Sequence, residues 1–100
     1  MSIRHIVLWK LGADDADTRA LHAEQVEERL LSLRGEISEI EHLEVGRNVA
    51  YPQTNWDVVL VSEFADVEAL ERYQVHPAHQ EVAAFVRSVA TERAGIDFPA

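Results

Sequence analysis

The chain has 100 residues, no cysteine and a formal net charge of -9, from 18 acidic against 9 basic side chains. That length supports one domain over residues 1–100, and the lack of cysteine excludes a disulfide scaffold, a zinc ribbon and a thiol nucleophile. The acidic excess argues against nucleic acid and against an anionic membrane surface as partners, because both need clustered Lys and Arg.

The apolar fraction of 47% is enough for a packed core. No apolar run reaches the roughly 18–20 residues of a spanning helix. Ile3–Leu11 is apolar but interrupted by Arg4, His5 and Lys10, so it is no signal-peptide core and the expected location is cytoplasmic. Ser2–Leu11 is predicted as a strand, apolar on both sides: Ile3, His5, Val7, Trp9 and Leu11 share one face, Ile6 and Leu8 the other. After Gly12, Asp14 or Asp15 caps a helix whose apolar positions Ala23, Val26, Leu30, Leu33 and Ile37 form one stripe. Gly35 ends that helix, leaving Ile37 just outside it.

Ile40–Arg47 is predicted as a second, diluted strand, Asn48–Asn55 as a loop, and Trp56–Phe64 as a third strand with four consecutive aliphatic residues, again apolar on both faces. Asp66 caps a short helix with Val67, Leu70 and Tyr73 on its inner face. Pro77 cannot continue that helix, but it suits the first turn of a new one carrying Val82, Phe85, Val86 and Val89. Thr91–Phe98 closes the chain as a strand. The order β-α-β-β-α-β predicts an α+β, ferredoxin-like fold: a four-stranded antiparallel sheet with helices on one face. The other face is then apolar and bare, and a two-fold homodimer packing sheet on sheet is the economical cover.

Of five histidines, His22 and His42 read as surface residues. His5 shares the face of Val7 and Trp9 and is either a hydrogen-bonded core residue or a pocket wall. His76, just before Pro77, reads as a cap or turn residue. His79 falls on the third residue of the new helix, where the positive end of the helix dipole disfavours imidazolium and leaves a neutral base. Tyr73 ends the preceding helix facing inward, and His79 is a natural partner for its hydroxyl. This spacing serves acid–base chemistry and plain packing equally well. His76 and His79 lack a third ligand at zinc spacing, so no metal is expected, and no glycine-rich loop points to a nucleotide or other cofactor.

Ile3-Arg4-His5-Ile6-Val7-Leu8-Trp9-Lys10-Leu11, Trp56–Phe64 and, most of all, Leu70-Glu71-Arg72-Tyr73-Gln74-Val75-His76-Pro77-Ala78-His79 resemble the stress-responsive A/B barrel (Dabb) domain family. The resemblance spans nearly the whole chain and implies a dimeric α/β barrel. A plant polyketide cyclase of that family carries a catalytic Tyr and His that match Tyr73 and His79, and a strand-one histidine that matches His5. A further pocket histidine of that enzyme has no match here and falls at Val58. The resemblance therefore implies catalytic candidates His79, Tyr73 and His5, with His76, Trp9 and Val58 as ligand-binding candidates.

Three functions are open. One is a non-catalytic homodimer holding a small apolar or carbonyl-containing ligand. Another is a cofactor-free polyketide cyclase-like lyase, in which His79 takes a proton beside a carbonyl and Tyr73 steadies the oxyanion. The third, a cofactor-independent monooxygenase, shares the implied barrel but has no positive mark in the sequence.

Overall fold

A computed structural model describes residues 1–100. The elements run β1 (Ile3–Leu11), α1 (Ala16–Ser32), a 3-10 turn (Leu33–Gly35), β2 (His42–Arg47), β3 (Val58–Phe64), α2 (Val67–Val75), α3 (Pro77–Val89) and β4 (Ala90–Pro99). All strand pairs are antiparallel, in the order β2-β3-β1-β4, which is the ferredoxin-like arrangement expected from the sequence.

Strand alternation sets the layers. Ile3, His5, Val7, Trp9 and Leu11 of β1 are buried under the helices, beside Phe64, Ser62, Leu60 and Val58 of β3. The helices close this face with Ala23, Val26 and Leu30 of α1, Ala69, Leu70 and Tyr73 of α2, and Val82 and Val86 of α3. Leu33 and Ile37, past the end of α1, are also fully enclosed. Asp15 caps α1 by accepting from the Thr18 N–H, and Asp66 caps α2 by accepting from the Ala69 N–H, each at 2.8 Å.

The opposite sheet face carries no helix. Ile6, Val59 and Val61 are half-buried there, while Leu8 is 37% and Ile96 59% exposed.

The structure corrects some local expectations. Val67 is exposed, because the buried arc of α2 starts at Ala69. Strand β2 begins at His42, since the Ile40 N–H turns back to the Ile37 carbonyl. Strand β3 begins at Val58, because Asp57 is held as a clamp: its N–H donates to the Trp9 carbonyl and its carboxylate accepts from the Leu11 N–H. No helix is long and apolar enough to cross a membrane.

Candidate functional site

The break between α2 and α3 builds the site. His76 takes an extended conformation (φ -63°, ψ 135°), and its Nδ1 accepts from the Ala78 N–H at 3.1 Å, so it caps α3 ahead of Pro77. The new helix brings the His79 ring against the Tyr73 ring, with centroids 4.4 Å apart and planes at 55°. His79 Nδ1 lies 3.1 Å from the Gln74 carbonyl oxygen. A carbonyl only accepts, so Nδ1 carries the proton and Nε2 of the neutral ring is the basic nitrogen. Burial lowers the proton affinity of His79. The Gln74 bond partly offsets this, while His5, Arg93 and Arg87 reinforce it.

His5 is 3% exposed, and its Nδ1 is bonded to the carboxylate of Asp97, its cross-strand neighbour on β4. The carboxylate fixes the ring's orientation. The His5 ring meets Phe64 and Tyr73 edge-on, each at 6.2 Å.

Tyr73 is 1% exposed and its hydroxyl has no hydrogen-bond partner. The expected bond to His79 does not form, because the two rings pack together and Nδ1 is engaged by Gln74. Burial pushes the Tyr73 phenol up to about 12, against a smaller opposing pull from Arg93. The hydroxyl is therefore a neutral donor at physiological pH.

His5, Tyr73 and His79 line one cavity of about 320 Å³ between sheet and helices, at the small end of ligand pockets, roughly 300–1,000 Å³. Val7, Trp9 and Leu60 supply apolar wall from the sheet, and Leu30, Val82 and Val86 from the helices. Arg87 and Arg93, both exposed, stand at its rim.

The structure thus brings together four of the candidates: His5, Trp9, Tyr73 and His79. It does not bring in His76, whose side chain is used as a cap. Nor does it bring in Val58, which is 2% exposed and borders a separate depression beside Asn48 and Trp56. His22, read as a surface residue, is half-buried with an enclosed and unpartnered Nδ1, because it lies one turn before Val26 on the edge of the buried stripe. His42 is exposed, near Glu44. Sequence reasoning missed Asp97, Arg87 and Arg93 as neighbours of the site. Cross-strand pairing of His5 with Asp97 and Trp9 with Arg93 finds two of them, given the β1–β4 register. No group of three or more His, Asp or Glu side chains converges to hold a metal ion.

A ferredoxin-like sheet whose helix break sets a Tyr/His pair over a strand-one histidine defines a class of small α+β domain. The chain belongs to the stress responsive A/B barrel domain family, whose model matches residues 3–100. It is 35% identical over 91 residues to an uncharacterized protein of Streptomyces coelicolor, covering 89% of this chain and 91% of that one. It is 30% identical to a dimeric protein of unknown function from Bacteroides fragilis, with a TM-score of 0.88 over 97% of this chain and 94% of that one. A hydroxynitrile lyase from Passiflora edulis shares the fold at 14% identity and a TM-score of 0.78, over 97% of this chain and 91% of that one.

Proposed function

We propose that the protein is a homodimer in which each protomer binds one small, mostly apolar, carbonyl-containing molecule in the cavity under the helix break. The unpartnered hydroxyl of Tyr73 carries this reading. Buried polar groups are nearly always paired, and this one is an enclosed neutral donor on a residue that lines a cavity. A ligand carbonyl supplies the missing acceptor, and the apolar walls hold the rest of the molecule. The dimer is supported by the uncovered apolar sheet face of Ile6, Leu8, Val59, Val61 and Ile96, and by the dimeric state of the Bacteroides fragilis relative.

A second reading, cofactor-free lyase chemistry, has its own observation. The Gln74 carbonyl fixes His79 with Nε2 as a free base, beside the Tyr73 donor. His79 would take a proton from the carbon next to the bound carbonyl, and Tyr73 would stabilise the resulting enolate oxygen.

Calorimetric titration with acetophenone separates the alternatives. Binding that weakens about tenfold in Tyr73→Phe, the loss of one well-placed hydrogen bond, supports the carbonyl ligand. Equal binding by both proteins overturns it. Deuterium exchange at the acetophenone methyl, followed by NMR and lost in His79→Gln, establishes the lyase-type step. Exchange at the uncatalysed rate leaves the protein a binder.

A further inference from the structure

The cavity is also lined by two arginines, Arg87 and Arg93. Among Lys and Arg side chains, Arg4, Lys10, Arg47 and Arg72 form ion pairs with Glu63, Glu92, Glu27 and Glu39. Arg19 and Arg34 donate to backbone carbonyls, and Arg29 lies over the Phe85 ring at 3.9 Å. Only Arg87 and Arg93 remain without an ion pair, a side-chain hydrogen bond or an aromatic partner, and both line the cavity. No Asp or Glu is among the residues lining it, although acidic side chains outnumber basic ones 18 to 9 in the chain. Asp97, the acid next to the site, is already bonded to His5.

The backbone makes room for one of these cations. Arg93 pairs with Trp9 and Gly95 with Val7, so both stand on the cavity face of β4. A Cβ added to Gly95 would lie 3.1 Å from an Arg93 guanidinium nitrogen. The guanidinium therefore occupies space left open by the missing side chain.

We infer that the ligand is a carboxylic acid, its carboxylate held at the cavity rim by Arg87 and Arg93 and its carbonyl directed to Tyr73 and His79. This rests on the carbonyl-ligand reading above and adds the second polar end. A planar guanidinium fork matches a carboxylate, and two unpaired forks on one rim concentrate positive potential where the rest of the protein is negative. The walls between the two ends are apolar, and the cavity volume suits a body of one aromatic ring and a short chain.

The test is calorimetric titration with 4-oxo-4-phenylbutanoate, an aromatic keto acid, against its neutral amide. The acid is expected to bind the wild-type protein about tenfold tighter than the amide. That preference should shrink in Arg87→Gln and in Arg93→Gln, vanish in the double variant, and weaken with rising salt. The amide should still bind every variant, with a smaller loss than the acid shows, which reports that the cavity is intact. Both arginines are exposed and unpaired, so the variants are expected to melt like the wild type. Equal binding of acid and amide by the wild type overturns the anion site but leaves the carbonyl reading standing. So does a preference that survives in the double variant. Failure of both compounds to bind overturns both readings together.

Discussion

Tyr73→Phe is expected to stabilise the free protein. The substitution keeps the ring, and with it the contacts to Phe64 at 4.7 Å, to His5 at 6.2 Å and to His79 at 4.4 Å. It removes only the oxygen, which is buried and has no partner. An unsatisfied buried hydroxyl costs about 1–3 kcal/mol. Allowing for the small void left behind, the net gain is about 1–2 kcal/mol. For a domain of this size that raises Tm by about 5–10 °C. Differential scanning calorimetry at one fixed protein concentration measures it, because Tm of a dimer depends on concentration. The gain should be confined to ligand-free protein, since a bound carbonyl satisfies the wild-type hydroxyl. A lower Tm for Tyr73→Phe would refute the reasoning: it would mean that the hydroxyl is bonded within the fold and that the pair serves packing.

Three further outcomes follow from the same geometry. Leu8→Asp places a charge on the uncovered sheet face, and sedimentation at micromolar concentration is expected to fall from about twice the 11.3 kDa protomer mass to the protomer itself. His76→Ala removes the cap on Ala78 and should cost about 0.5–2 kcal/mol in urea unfolding, while leaving a ligand's contacts with Tyr73 untouched. His79 takes up protons less readily folded than unfolded, chiefly because it is buried, so the unfolded chain binds the proton first as pH falls. Its contribution to stability is complete above pH of about 6.5, the ordinary histidine value, and is lost as pH drops toward the lower folded value. Unfolding of wild type and His79→Gln between pH 7.5 and 4.5 should show a smaller acid-side loss in the variant.

Which parts were legible follows from how each element earns its stability. Strands β1 and β3 stand out because buried strands need continuous β-branched and aromatic residues. Helix α1 stands out because one stripe supplies most of its packing. Strand β4 is different. It is an edge strand, exposed on both faces along most of its length, so Thr91, Glu92, Arg93 and Asp97 obey no hydrophobic period. Its position was readable from fold order, but its register was not. Register decides that Asp97 faces His5 and Arg93 faces Trp9. The half of the site built from β1 and the helix break was therefore visible in sequence, and the half built from β4 was not. Val58 shows the opposite error. The family resemblance carried a pocket position to Val58 on β3, yet here an aliphatic side chain fills that place and closes into the core.

The helix break explains why two residues six apart meet at all. In an unbroken α-helix each residue turns about 100°, so Tyr73 and His79 would point about 120° apart. One would face the sheet and the other the solvent flank. The extended backbone of His76 resets that phase, and Pro77 starts the next helix without needing an N–H partner. The His79 bond to the Gln74 carbonyl then spans the junction, so the device that re-aims the histidine also sets its tautomer. Packing alone asks for none of this. A leucine at His79 would cover Tyr73 equally well, and a phenylalanine at Tyr73 would leave no buried hydroxyl unpaired. The polar pair is costly where it stands, and the ligand carbonyl proposed above is a partner that would remove the cost.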